Sequence, residues 1–128
     1  MSRLWRKLAL NCAINPLTVL HQCTNGGLKA HTQTVDALCI ELSALLVGCA
    51  QPEAAVNLSA EVHRVIDATA QNYSSMYQDV AQRRRTEISY LSGYACQAAQ
   101  RIGLDTPHLH AIHQQLIAHL THLGLPSH

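Results

Sequence analysis

The sequence predicts an all-α fold of about six main helices, and three observations carry that expectation. Apolar residues recur at steps of three and four along several segments, the mark of helices with one buried face. No segment of four or more residues alternates in the β manner with β-branched enrichment. Phe is absent and aromatics make up only 4% of the chain, so the core must be Leu, Ile, Val and Ala, a composition that suits helices.

The elements follow in order. A first helix is expected from about Arg3 to Ile14. Lys7, Asn11 and Asn15 lie at i, i+4 and i+8, drift about 40° per step and so share one face. Pro16 should end or kink this helix and leave Asn15 at the break. After the turn Thr24-Asn25-Gly26-Gly27, the stripe Val35, Leu38, Leu42, Leu45, Cys49 predicts a second helix, stopped by Gln51-Pro52. A third covers Leu58 to about Ala70, with Leu58, Val62, Val65, Ile66 and Thr69 inward and Asn57 or Ser59 as cap. Ser74-Ser75 opens a short helix that runs into Arg83-Arg84-Arg85. A long helix is expected from about Thr86 to Ile102, its stripe Ile88, Leu91, Ala95, Ala98, Ile102, with Gly103 as the left-handed terminator. Thr106-Pro107 starts the last helix, which carries Leu109, Ile112, Leu116, Leu120 and Leu123 before Gly124.

Length and charge narrow the function. At 128 residues the chain is one domain or part of a larger protein, and 48% apolar residues can build one real core. Nine Lys+Arg against eight Asp+Glu leave a net charge of +1, too little for a nucleic-acid groove. No uninterrupted apolar stretch reaches membrane-spanning length, and Leu38 to Ala50 carries Glu41. The opening MSRLWRKLALNCAINPL has the charge order of a signal peptide, but Asn11, Asn15 and Pro16 interrupt its apolar run and no small-residue cleavage site follows. The five cysteines are odd in number and none is spaced C-x-x-C, which predicts a reduced, cytoplasmic protein with inert buried thiols.

Other motifs have plain readings. Of nine histidines, His108, His110, His113, His119, His122 and His128 cluster late. His119 and His122 at i, i+3 can chelate, but no H-E-x-x-H and no acidic residue of the last helix supports them, so no metal is expected. Arg83-Arg84-Arg85 reads as a solvated corner between helices. There is no G-x-G-x-x-G, Walker loop or G-x-S-x-G. The Lys7-Asn11-Asn15 stripe has two readings: a solvated face, as such residues usually form, or a ligand site, because polar groups embedded in WRKLALNCAIN need partners.

Several pieces together resemble one family. The run Leu4 to Thr18 with K-x-x-x-N-x-x-x-N-P, then Asn25-Gly26, Ser74-Ser75-Met76-Tyr77-Gln78-Asp79, Thr86-Glu87-Ile88 and Gly103-Leu104-Asp105-Thr106-Pro107, resembles the C-terminal domain of the ketopantoate reductases. The resemblance spans essentially the whole chain. It implies an all-helical domain, residues 1–128, similar to that of 6-phosphogluconate dehydrogenases, with the family's N-terminal Rossmann domain absent. The implied reaction is reduction of 2-dehydropantoate to (R)-pantoate with NADPH, a cofactor this chain alone is not expected to bind. Residue by residue, the resemblance makes Lys7 the general acid and Glu87 its acidic partner. It makes Ser75 a ligand of the substrate carboxylate, and Asn11, Asn15 and Asn25 further substrate-binding residues. It also implies a small 2-keto acid as partner and a homo-oligomer, with neither nucleic acid nor membrane. Ser89, Ser92 and Leu109 depart from the residues common in the family. The alternatives are a helical dimerisation module that has lost catalysis and a His-based metal-binding domain.

Overall fold

The computed structural model describes residues 1–128 as seven helices and no strand, six of them of seven residues or more. They are α1 (Ser2–His21), α2 (Thr32–Gly48), α3 (Pro52–Ala55), α4 (Leu58–Ala68), α5 (Ser75–Ala81), α6 (Ser92–Arg101) and α7 (Pro107–His122). No helix is long and apolar enough to cross a membrane.

The organising element is α1, which packs against each of the other six helices. Every residue from Cys12 to Val19 is buried, so this half of α1 is enclosed on all sides. That enclosure explains a departure from the sequence expectation. The helix does not stop near Ile14 but runs through Pro16 to His21. Pro16 removes the N–H that would have bonded the carbonyl of Cys12, yet the packing of Ala13, Leu17 and Val19 outweighs that single bond. Asn15 therefore sits within a continuous helix, not at a break.

A 3₁₀ stretch, Asn25–His31, follows α1 and is pinned to the end of α4. The Asn25 N–H donates to the Asn72 carbonyl and the Gly26 N–H to the Ala70 carbonyl, both at 2.9 Å. Position 26 must be glycine, because a Cβ there would lie 2.7 Å from the Ala70 carbonyl oxygen. The predicted stripes of α2 and α4 are buried at Val35, Leu38, Leu42, Leu45, Leu58, Val62 and Ile66. The expected cap of α4 is not made: Asn57 is left-handed (φ 53°) with no side-chain bond, and the Ser59 hydroxyl turns to Asp36.

The long helix expected over 86–102 is broken. The Thr86 hydroxyl accepts from the Ile88 N–H, a local bond that competes with helix, and Ile88–Tyr90 form one 3₁₀ turn. Leu91 then leaves helical geometry (φ −111°, ψ −101°) and α6 starts at Ser92. Ser92 is fully buried and bonds His113 Nδ1 of α7 at 2.7 Å, a long-range tie that fixes the restart. Ile102 lies past the end of α6 and is 41% exposed, while Gly103 takes the left-handed conformation predicted for it (φ 69°). The arginine run forms an exposed corner. Arg83 donates to the Leu123 carbonyl at the end of α7, and Arg84 pairs with Asp79.

All five cysteines are free thiols. Cys12, Cys39 and Cys96 are buried, and burial pushes the thiols of Cys39 and Cys96 up to about 11. Cys23 and Cys49 are only half-buried, so not every thiol is a core residue as the composition suggests.

Candidate functional site

One hollow of about 630 Å³ opens beside the first half of α1, lined by Arg3, Lys7 and Asn11 on one side and by Glu53, Val56 and Val65 on the other. Lys7 is exposed and has no ion-pair partner. Asn11, one turn on, is half-buried and its amide makes no hydrogen bond within the protein. The helical spacing read from the sequence thus places Lys7 and Asn11 on the same hollow.

The other candidate residues do not line this hollow. Asn15 is one further turn along α1 and buried; its backbone carbonyl accepts from the Thr18 hydroxyl at 2.7 Å. Thr18 meets Ser74 at 2.7 Å, and Ser74 accepts from the Tyr77 N–H at 3.1 Å. Each hydroxyl has one proton, so the direction is fixed: Tyr77 donates to Ser74, Ser74 to Thr18, Thr18 to Asn15. Ser74 is thereby committed as the N-cap of α5, and its neighbour Ser75 is left exposed with its hydroxyl unbonded.

Asn25 is buried against the end of α4, where its Nδ2 donates to the Thr69 hydroxyl at 2.8 Å. Thr69 in turn donates to the carbonyl of Val65, a residue that lines the hollow. Because the Thr69 proton is used there, the Asn25 amide must present nitrogen to Thr69. Its Oδ1 is then buried without any partner. An acceptor left in this state costs about 1–3 kcal/mol unless a donor reaches it.

Glu87 lies outside the lining of the hollow. It precedes the Ile88–Tyr90 turn, is exposed, and forms no ion pair with Lys7. Its neighbour Tyr90 packs near Leu4 and Leu8, the α1 residues that flank the Lys7 stripe.

Sequence reasoning missed one polar residue of consequence. Glu41, buried in the apolar stripe of α2, accepts from the backbone N–H groups of His108 (2.9 Å) and Leu109 (2.8 Å) and from His108 Nδ1 (2.8 Å). It caps α7 from 67 residues away, while Thr106, the cap expected from sequence, makes no side-chain capping bond. A lone acid inside the run Leu38 to Leu46 was the available signal.

Four of the six glycines stand where a side chain would collide. A Cβ on Gly26 would strike Ala70, on Gly27 Cys23, on Gly48 Ile102, and on Gly93 it would press the Ile88 carbonyl. These four serve close packing.

Solved structures give the class of protein first. A D-mandelate dehydrogenase, described in a ternary complex with NADH and anilino(oxo)acetate, has a TM-score of 0.88 over 98% of this chain and 42% of its own, at 21% identity. A PanE/ApbA family ketopantoate reductase from Ralstonia eutropha has a TM-score of 0.81 at 25% identity, over 90% of this chain and 39% of its own. The fold is that of a helical portion of larger dehydrogenase and reductase chains. The family model described as "Ketopantoate reductase PanE/ApbA C terminal" matches residues 1–120. The 2-dehydropantoate 2-reductase of Vibrio cholerae is 47% identical over 115 residues, covering 88% of this chain and 39% of the relative. That of Salmonella typhimurium is 46% identical, covering 83% and 35%. The chain belongs to the ketopantoate reductase family and corresponds to its C-terminal domain, a family of oxidoreductases. It spans well under half the length of these relatives.

Proposed function

We propose that this chain is the substrate-binding and proton-donating domain of a 2-dehydropantoate 2-reductase, which forms (R)-pantoate with NADPH. The observation that carries this reading is the hollow in which an ammonium without an ion-pair partner stands beside an unbonded amide, Lys7 and Asn11. NADPH supplies a hydride where the whole enzyme binds it. The residues here act on the keto acid.

Reduction of a 2-keto group builds negative charge on its oxygen and requires a proton there. In this reading Lys7 Nζ holds that proton and stabilises the developing alkoxide. Among the residues of the α1 stripe only Lys7 can transfer a proton, since an amide donates a hydrogen bond without titrating. Asn11 and Asn15 hold the substrate along the same face. Asn25 offers the unpartnered Oδ1 to a substrate hydroxyl, the donor that oxygen lacks. Ser75, exposed with a free hydroxyl, takes the carboxylate. Glu87 positions Lys7 and the substrate hydroxyl.

One relative from Staphylococcus aureus is described as a dimeric ketopantoate reductase. We extend self-association to this chain, whose Leu4 (66% exposed), Trp5 and Tyr90 (78% exposed) form a continuous apolar face. Light scattering should show a species larger than a monomer, and a strict monomer at high concentration would contradict it.

Steady-state kinetics on the reductase that carries this chain test the chemistry. Lys7→Ala should lower kcat by about 10²–10⁴, the usual contribution of a positioned general acid. Glu87→Ala acts through the same group, so the double variant should lose far less than the product of the two single losses. A raised KM with unchanged kcat in Lys7→Ala would reduce Lys7 to a binding role.

A further inference from the structure

Arg3 stands one helical turn before Lys7 and lines the same hollow, yet none of the ion pairs of the fold engages it. The stripe Lys7, Asn11, Asn15 therefore has a fourth member at its outer end, offset by about 40° like the others. Of the three cations on the hollow, Arg6 is already committed. Its guanidinium donates to the Ala54 carbonyl at 2.9 Å and to the Val56 carbonyl, closing the end of α3. Arg3 and Lys7 remain free, and Glu53 is the one acidic residue among the lining. Two like charges at i, i+4 disfavour the helix, a cost that an anion between them reverses. In a chain whose net charge is only +1, this is a local concentration of positive charge at one opening.

Resting on the function proposed above, we infer that Arg3 is the capture residue for the anionic substrate. Its charge draws the anionic 2-keto acid to the mouth of the hollow, from which the acid passes on to Lys7 and Ser75. A guanidinium suits this task, because it stays charged at any working pH. Arg3 touches no reacting atom. It is a positioning residue, and its contribution is Coulombic and sensitive to salt.

The test is titration of the isotopically labelled 128-residue chain with 2-dehydropantoate, followed by NMR. Wild type, Arg3→Glu, Arg3→Lys and Lys7→Ala are compared at ionic strengths of about 0.01 M and about 1 M, where charges are screened over roughly 30 Å and 3 Å. Arg3→Glu should weaken binding at least about fivefold at low salt, the worth of one close charge pair in water, and less than about twofold at high salt. Arg3→Lys should stay within about twofold of wild type at both. The uncharged lactone of the same keto acid should bind Arg3→Glu and wild type alike. If Arg3→Glu binds 2-dehydropantoate as wild type does at low salt while Lys7→Ala weakens it, the inference falls and the proposed function stands. The inference falls likewise, with the function intact, if the Arg3→Glu loss is equal at both salts. If Lys7→Ala leaves binding unchanged, or the wild-type chain shows no binding at all, the function proposed above falls and the role of Arg3 with it.

Discussion

Two places in this molecule put polar side chains into apolar sequence, and they end in opposite states. Glu41 sits in the Leu-rich stripe of α2 and is saturated, with three hydrogen bonds to the first turn of α7. Lys7 and Asn11 sit in WRKLALNCAIN and face an open hollow, and the nearby Asn25 keeps a buried oxygen with no partner. The first arrangement is complete within the fold and holds two helices together. The second is incomplete: an ammonium, an amide and a buried acceptor oxygen have no partner within the protein. A polar residue in an apolar run marks both, so satisfaction of its hydrogen bonds, and not its presence, separates structure from function.

The strongest way to break this comparison is Glu41→Ala. It strips two backbone N–H groups of their acceptor at a helix start, and urea unfolding should show a loss of about 2–3 kcal/mol. Most of that loss belongs to the backbone bonds, because the His108 side chain is 57% exposed and its pairing is solvent-screened. A loss under about 0.5 kcal/mol would mean that Glu41 is not the cap that holds α7.

Asn25→Ala sharpens the other half. The substitution removes one good bond, to Thr69, together with one orphaned acceptor, so the two effects nearly offset. Stability should change by about 1 kcal/mol or less, whereas binding of 2-dehydropantoate should weaken clearly. Destabilisation of about 3 kcal/mol with unaltered binding would place Asn25 with Glu41 as a structural residue.

A smaller effect concerns pH. Burial, then the neighbouring His110, hold His113 below the ordinary histidine value, and burial followed by the stacked His31 ring at 3.6 Å does the same to His21. The unfolded chain then binds more protons than the folded one, so stability is full above about pH 6.5 and is lost as pH falls below it. Thermal unfolding between pH 8 and pH 5 should show this decline. His113→Gln, which keeps a partner for the Ser92 hydroxyl, should flatten it. An undiminished slope in that variant would assign the decline to other groups.

Much of this was legible in local pattern. The stripes of α2, α4 and α7, the Pro107 start and the Gly103 stop depend on spacings within one helix, which a sequence displays directly. The passage of α1 through Pro16 was not legible, because it depends on the enclosure of Cys12 to Val19 by other helices. The break at Leu91 depends on Ser92 reaching His113 across 21 residues, and the true cap of α7 lies 67 residues upstream. Within the candidate site, helical spacing alone places Lys7 and Asn11 together. Arg3 extends the same spacing by one turn but does not stand out, since nothing in sequence shows that Arg6 is committed and Arg3 free. Ser75 and Glu87 stand on family resemblance, because no local period links them to α1.

Urea unfolding and 2-dehydropantoate titration, both carried out on Lys7→Ala and Glu41→Ala, test the contrast most directly. Lys7→Ala should keep its stability within about 0.5 kcal/mol of wild type, as an exposed residue outside every ion pair should, and lose binding. Glu41→Ala should lose about 2–3 kcal/mol and, where still folded, bind as wild type does. The opposite pattern, Lys7→Ala unstable with binding intact or Glu41→Ala stable with binding lost, would contradict the division of the molecule into a closed polar joint and an open polar site.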